Sequence, residues 1–233
     1  MKQPLCRIVS ALAATLLLIS APGAGATEVR IDATGFDVYV DDSLVALFGV
    51  PDIVDGVSLV FTAPAGSFEA QSALPAWTFS GDSFGLRIVA DAGYFLSSAS
   101  VLQAGQLHID GAASEIYAGG VVRTVDSRYP TVSYAPMVGS GVAAVGAAGG
   151  VYERSWETVG TQLLSAGATD VQVTIDSLLG ARAGSSSGHA FVSKQFVSLS
   201  VVSLISPVPE IPTWSMMVLG AGMFAGIARR RAG

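Results

Sequence analysis

The stretch Phe36-Asp-Val-Tyr-Val-Asp41 alternates apolar side chains with more polar ones. The same alternation recurs in Phe84-Gly-Leu-Arg-Ile-Val89 and in Val171-Gln-Val-Thr-Ile175. Successive side chains of a β-strand point to opposite faces, so a period of two predicts strands with one buried face and one wet face. The part of the chain that contains these stretches is therefore expected to form β-sheets.

Further strand candidates are bounded by Gly, Pro, Asp or Ser, and they are 29–33, 57–62, 76–80, 105–110, 114–125 and 191–204. A helical apolar stripe over three turns is missing, and the nearest pattern, Val159 to Ala166, is short and interrupted by Gly160. About nine or ten strands with short turns favour an all-β fold, an antiparallel β-sandwich or jelly-roll-like single domain over residues 27–206.

Two segments interrupt the strand pattern. Tyr129 to Gly150 contains two prolines and a run of Gly and Ala, which favours a loop over a weak strand. Ala183 to Gly188 is most simply a hairpin loop that joins the strand at 171–175 to the strand at 191–204. No internal repeat of fixed period is visible, which disfavours solenoids and propellers.

Charge and cysteine content exclude several classes of function. The 233-residue chain has a formal net charge of −6, and residues 27–208 carry seven Lys and Arg against seventeen Asp and Glu, a net charge near −10. Such a surface repels nucleic acid and anionic lipid, so no nucleic-acid partner is expected. The single cysteine, Cys6, precedes this region, which excludes disulfides and zinc-cysteine sites from it.

The N-terminal end has the features of a signal peptide over residues 1–26. Lys2 and Arg7 precede or border an apolar run, 8–19, and Ala24 and Ala26 supply small residues at alternate positions before the expected cut. We therefore expect signal peptidase to cleave after Ala26. The alternative is an uncleaved N-terminal anchor, which the shortness of the apolar run disfavours.

The C-terminal end, 207–233, has the features of a sorting signal. A Pro-Glu motif and a Trp lead into fifteen uncharged residues, 214–228, and three arginines follow; the motif residues are Val208, Pro209, Glu210, Pro212, Trp214, Arg229, Arg230 and Arg231. In this order the tail resembles the PEP-CTERM signal of exosortase substrates in Gram-negative bacteria. The second proline is displaced by one residue, whereas the spacing from Glu210 to Trp214 matches the family pattern.

The resemblance implies an exported protein that an exosortase-like membrane peptidase processes. The uncharged run spans only about 22 Å as a helix, so the transmembrane helix is expected over about 212–228, with the arginines holding its end in the cytoplasm. Anchoring in the inner membrane would then be transient, before delivery to the cell surface or the extracellular space. An ordinary single-pass tail anchor is the alternative. The tail also resembles the ice-binding protein C-terminal domain, but regular Thr-x-Thr ladders are missing, so ice binding is not expected.

Candidate catalytic and metal-binding residues are few. His189 follows Ser185 to Ser187, but no Gly-x-Ser-x-Gly elbow and no ordered acid accompany them, and His108 is expected on an exposed strand face. Asp41-Asp42, and Asp52 with Asp55, lack the alternating carboxylates of a calcium loop and are expected in turns. The sequence therefore predicts no enzyme activity, no cofactor and no metal site.

Aromatic side chains suggest one possible ligand contact. Trp77 alternates with Phe79 and is expected in the core, whereas Trp156, next to charged residues on both sides, is the better candidate for stacking on a sugar ring at the surface. The expected function is an exported, exosortase-sorted surface or extracellular-matrix protein associated with biofilm polysaccharide. The alternative is a secreted carbohydrate-binding β-sandwich module, and a secreted enzyme is the least favoured reading.

Overall fold

The computed structural model describes residues 28–139, 143–145 and 150–206, and this part of the chain consists almost entirely of antiparallel strands. The elements are β1 (Glu28–Ala33), β2 (Phe36–Asp41), α1 (Asp42–Phe48), β3 (Asp52–Val54), β4 (Ser58–Thr62), β5 (Glu69–Ser72), β6 (Thr78–Ala90), β7 (Tyr94–Asp110), β8 (Glu115–Asp126), β9 (Val132–Met137), β10 (Ala143–Val145), β11 (Val151–Ala168), β12 (Asp170–Arg182) and β13 (His189–Ile205). The predicted all-β class is confirmed.

The strands form two sheets. Sheet A has the order β1-β2-β6-β12-β8, and β9 and β10 pair with successive parts of β8 at its far edge. Sheet B has the order β11-β7-β13-β4-β3, and β5 also pairs with β13. The longest pairings join β13 and β11 to β7 in sheet B, and β6 and β8 to β12 in sheet A.

The core lies between the inner faces of the two sheets. Its side chains include the alternating apolar residues that predicted the strands, and these are all buried: Phe36, Val38, Val40, Phe84, Leu86, Ile88, Val171, Val173 and Ile175. The period-two pattern therefore identified the core face of three strands correctly. The burial of these side chains supplies the main favourable free energy of the fold, about 1.5–3 kcal/mol for each large apolar side chain.

A polar layer divides the core into two apolar clusters. On β12, Ser177 lies between Ile175 of one cluster and Leu179 of the other. At the same level, Gln103 of β7 and Lys194 of β13 are also buried. Buried polar groups cost free energy unless they find partners, so this layer must be held by hydrogen bonds between the sheets.

The loop 183–188 is not a hairpin loop. β12 belongs to sheet A and β13 to sheet B, so the loop crosses from one sheet to the other. Its entry is fixed by the Gly184 amide, which donates to the Ser114 hydroxyl at 2.9 Å. The prediction failed because alternation assigns a face to each strand but does not say which strand is its neighbour.

Two other local predictions need correction. The segment 129–150, predicted as a loop, contains β9 and β10. Residues 159–166, where no helix was predicted, lie within β11. A short helix begins at Asp42, where a turn was predicted. Asp41 caps this helix by accepting a hydrogen bond from the Ser43 amide at 2.8 Å. The side chain of Ser43 and, to a lesser extent, its amide lower the pKa of Asp41.

The two terminal segments stay predictions. The signal peptide with Ala24 and Ala26 lies outside the described residues, and so does the tail from Val208 to Arg231, with its expected helix at 212–228. Within 28–139, 143–145 and 150–206, no helix has the length and apolar character needed to cross a membrane.

Candidate functional site

Three aromatic side chains lie together on the outer face of sheet A, and we call them the aromatic platform: Trp77, Phe79 and Tyr117. Phe79 on β6 and Tyr117 on β8 both pair with Gly180, which lies between them on β12. Trp77 precedes β6 by one residue. The register therefore places aromatic rings on both sides of a residue that has no side chain.

Trp77 and Phe79 form a stacked pair. Their ring centroids are 5.4 Å apart and their planes differ by 11°. Phe79 is 48% exposed and Tyr117 is 41% exposed, while Trp77 is half-buried. Residues two apart on an extended chain point to the same side, so both rings of the stack lie on the outer face.

Glycines form the floor of the platform. A Cβ atom at Gly180 would lie 2.8 Å from Cε1 of Phe79 and 3.2 Å from Cζ3 of Trp77. Likewise, a Cβ atom at Gly119 would lie 2.9 Å from Cζ of Tyr117. The rings can approach the sheet this closely only because neither position carries a side chain. The result is a partly exposed apolar surface on the outer face of sheet A.

A half-buried ion pair borders the platform. Arg182 on β12 pairs with Glu115 on β8 at 2.7 Å, and its guanidinium carbon lies 5.6 Å from the centroid of the Trp77 ring. Nε of Arg182 is buried without a hydrogen-bond partner. The pair therefore holds a polar donor and acceptor group beside the apolar rings, where sugar hydroxyls could find partners.

The rest of the outer face is polar and shallow. Along β6, Ser83 donates to Asp176 of β12 at 2.5 Å, and Arg87 makes two hydrogen bonds to Asp170 at 2.9 and 2.7 Å. The hydrogen bonds between Arg87 and Asp170 lower the pKa of Asp170 and raise the pKa of Arg87. An open cleft runs past these residues and Tyr39. From Phe79 to Arg87 the face extends about 26 Å, long enough for several sugar rings.

Charges balance on the three central strands of this face. Their outward positions carry three basic and three acidic side chains, which are Arg87, Arg123, Arg182, Glu115, Asp170 and Asp176. The outward positions of β1 and β2 beside them carry one basic and four acidic side chains, which are Arg30, Glu28, Asp32, Asp37 and Asp41. The central strands are therefore suited to a neutral ligand, whereas the face as a whole is acidic.

The prediction that Trp156 is an exposed ligand contact is wrong. Trp156 is 1% exposed and lies on the inner face of sheet B, where its Nε1–H donates to the Ser193 carbonyl at 3.0 Å. The prediction that Trp77 is a core residue is wrong as well. Charged neighbours in the sequence suggested exposure of Trp156, but neighbours on a strand point to the opposite face.

The two histidines do not form a catalytic site with the serine loop. His108 lies on the outer face of sheet B, as predicted, with Nδ1 at 3.0 Å from Glu153. His189 bonds to Gln71 at 2.8 Å, whereas the Ser185 hydroxyl lies 3.2 Å from that of Ser187. Across the described ranges, no three His, Cys, Asp or Glu side chains are grouped so that they could hold a metal ion.

No protein-family model and no curated protein matches this chain. Among solved structures, the enzymatically active domain of bacteriophage CBA120 tailspike protein 4 is similar over 77% of this chain and 20% of its own, at 11% identity and a TM-score of 0.19. TmCBM61, in complex with β-1,4-galactotriose, is similar over 75% of this chain and 88% of its own, at 10% identity and a TM-score of 0.18. A structure of infectious bursal disease virus, Gx strain, is similar over 79% of this chain and 54% of its own, at 11% identity and a TM-score of 0.19.

The chain therefore spans about a fifth of the tailspike chain. TM-scores this low do not assign the chain to any of these folds, so the site is argued below from its own geometry.

Proposed function

We propose that this protein is an exported β-sandwich that binds a neutral extracellular polysaccharide through the outer face of sheet A. The observation that carries the proposal is the aromatic platform, in which the rings of Phe79 and Tyr117 lie exposed and close to Gly180 and Gly119.

The chemistry of the face fits a sugar chain. One face of a pyranose ring presents C–H groups, which stack on aromatic rings, and its edge presents hydroxyl groups. The platform supplies the rings, and the Arg182–Glu115 pair supplies polar partners at its border. Each aromatic contact contributes of the order of 1 kcal/mol beyond area burial, so useful affinity requires contacts with several successive sugar units along the face.

Charge selects between classes of polysaccharide. Since only the three central strands of the face are neutral and the rest of the domain is strongly acidic, a polyanionic chain is repelled at low ionic strength, while a neutral chain is not. The proposed ligand is therefore a neutral polysaccharide of the matrix outside the cell.

The route to that matrix is part of the proposal. The resemblance of the tail to PEP-CTERM signals and the signal-peptide features of residues 1–26 support export, transient anchoring in the inner membrane and processing by an exosortase-like peptidase. The protein would then act as a structural component of the cell surface or extracellular matrix, held there by its polysaccharide.

Affinity electrophoresis in gels that contain a neutral polysaccharide tests the binding role. The polysaccharides to compare are those of the native host, separated into neutral and anionic fractions. We expect the neutral fraction to retard the protein, and Trp77→Ala combined with Phe79→Ala to abolish the retardation. Tyr129→Ala is the control, because Tyr129 is exposed outside the platform. Equal retardation of the double variant and the parent would overturn the proposal.

A further inference from the structure

Lys194 is the only lysine between residues 27 and 208, and it lies in the core. Its side chain is 0% exposed. Lysine is among the residues least often buried, because its ammonium group loses hydration. A domain that has no lysine on its described surface has therefore placed its single lysine between the two sheets.

The amino group of Lys194 faces one carboxylate. Nζ contacts Oδ2 of Asp82 and lies 3.2 Å from the Ser177 hydroxyl. Asp82 on β6 and Ser177 on β12 are directly paired in sheet A and both point inward. Ser177 is itself held by Gln103, whose Nε2 donates to it at 2.6 Å. Lys194 of sheet B thus reaches across the core to two adjacent residues of sheet A.

The backbone around Lys194 fixes the direction of its side chain. The register of β13 against β7 shifts between Lys194 and Phe196, a bulge of the kind that re-aims a side chain. The amide of Lys194 donates to the Phe68 carbonyl at 2.9 Å. Opposite the bulge, a Cβ atom at Gly105 would collide with the Ser193 carbonyl. The close approach of β7 to the bulge therefore requires glycine at position 105.

Burial of Nζ favours the neutral amine. Asp82 and the face of the Phe68 ring, whose centroid lies 4.6 Å from Nζ, favour the ammonium form. Burial lowers the pKa of Lys194, and this effect outweighs the opposing influence of Asp82. An unprotonated amine is a nucleophile, whereas an ammonium group is not.

We propose that Lys194 and Asp82 become joined by an intramolecular amide bond that links β13 of sheet B to β6 of sheet A. A proton passes from Nζ to the Asp82 carboxylate through their direct contact, the lone pair of Nζ then attacks Cγ of the resulting carboxyl group, and a C–N bond forms. The C–OH bond then breaks, and the hydroxyl leaves as water with one proton from Nζ. No atom changes its oxidation state, and no co-reactant is needed. Ser177 acts as a positioning residue that holds Nζ against Cγ.

The structure provides an exit for the water. Asp82 borders a cavity of about 150 Å³ between Phe68, Phe84 and helix α1. The product would be a covalent cross-link between the two sheets of a domain that has no cysteine. The linked residues, Asp82 and Lys194, are 112 positions apart in the sequence. Cross-links that close long loops restrict the unfolded chain most, so this position is an effective place for one.

Peptide mass spectrometry of the full-length protein, as expressed and exported, tests the proposal. After denaturation and digestion, we expect one branched peptide that contains both Asp82 and Lys194, with a mass lower than the sum of its two parts by one water molecule. Lys194 should then resist an amine-acylating reagent in the denatured protein. The Arg87 and Asp170 peptides, which also face each other, provide the unlinked control.

Two separate peptides at their unmodified masses, with Lys194 fully acylated by the reagent, would overturn the proposal. Ser177→Ala checks the positioning role, and we expect a smaller linked fraction at equal times after synthesis. Lys194→Arg should abolish the link, but the parent protein alone decides the matter if this variant does not fold.

Discussion

The ring of Phe79 lies so close to Gly180 of the neighbouring strand that a Cβ atom on Gly180 would be 2.8 Å from Cε1 of the ring. Trp77, which stacks on Phe79, is also close, because its Cζ3 would lie 3.2 Å from that Cβ atom. The shape of the aromatic platform thus depends on a residue that contributes no side chain to it.

The first prediction concerns this floor. Gly180→Ala should tilt the Phe79 ring off the sheet and weaken polysaccharide binding about five- to tenfold, since one stacking contact contributes of the order of 1 kcal/mol. Retardation in affinity gels measures the change. Gly150→Ala is the matched control, because nothing lies within 4 Å of its added Cβ atom. Binding that survives Gly180→Ala unchanged would mean that the rings do not need this floor.

The second prediction separates the two tryptophans. Trp156→Ala removes a fully buried ring and its hydrogen bond to Ser193, and should lower the free energy of unfolding by about 3–5 kcal/mol. Trp77→Ala removes a half-buried ring and should cost much less. Urea unfolding followed by circular dichroism measures both. A Trp156→Ala variant of parental stability that has lost binding would restore Trp156 as the ligand contact.

The third prediction concerns acid. Hydrogen bonds from Arg87 lower the pKa of Asp170 in the folded protein, so the unfolded chain binds more protons and stability rises with pH in this window. The contribution is complete above the ordinary pKa of about 4 and is lost as pH falls through the lowered folded pKa.

Because both groups are partly exposed, the Asp170 contribution is only about 0–1 kcal/mol. We expect Asp170→Asn to reduce the loss of unfolding free energy between neutral and strongly acidic pH. If the free energy of unfolding of the variant falls with pH as steeply as that of the parent, this pair does not stabilise the fold.

The fourth prediction concerns sorting. Replacing both Pro209 and Glu210 with Ala should block C-terminal processing, because these residues lie just outside the apolar run where a membrane peptidase could reach them. Intact mass and cell fractionation in the native host measure the outcome. If the double variant is trimmed and released like the parent, the tail is not a sorting signal of the proposed kind.

Orientation of the tail gives the fifth prediction. Arg229 to Arg231 should stop transfer, since each costs about 2.5–3.5 kcal/mol at mid-membrane depth. A reporter fused after Gly233 should be active in the cytoplasm. If only a reporter that works in the periplasm is active, the proposed orientation is wrong.

Alternation along single strands was enough to predict the β-sandwich and much of its core. The burial of Val38, Ile88 and Val173 could be predicted. A period of two assigns each residue to a face of its strand, and this assignment does not depend on which strand lies beside it. The same reasoning could not place the loop 183–188, which joins different sheets. Sheet neighbours depend on long-range pairing that no local pattern records.

The candidate site was missed for the same reason. Trp77 and Phe79 alternate like core residues, and only the register against Gly180 shows that their face is the outer one. One signal was available: Gly81, Gly85, Gly119 and Gly180 all fall within strand segments, where glycine often marks a close approach of a ligand or another group. Lys194 is similar, because its meeting with Asp82 depends on two sheets packing together.

The most direct test of the polysaccharide-binding account is a titration of the isotopically labelled protein with a neutral oligosaccharide from the host matrix, followed by NMR of the tryptophan indole N–H groups. Trp77 borders the proposed ligand, whereas the indole N–H of Trp156 is buried and bonded to Ser193. We expect the Trp77 signal to shift in a saturable manner while the Trp156 signal stays in place. A Trp77 signal that does not move at any concentration that retards the protein in affinity gels would contradict the account.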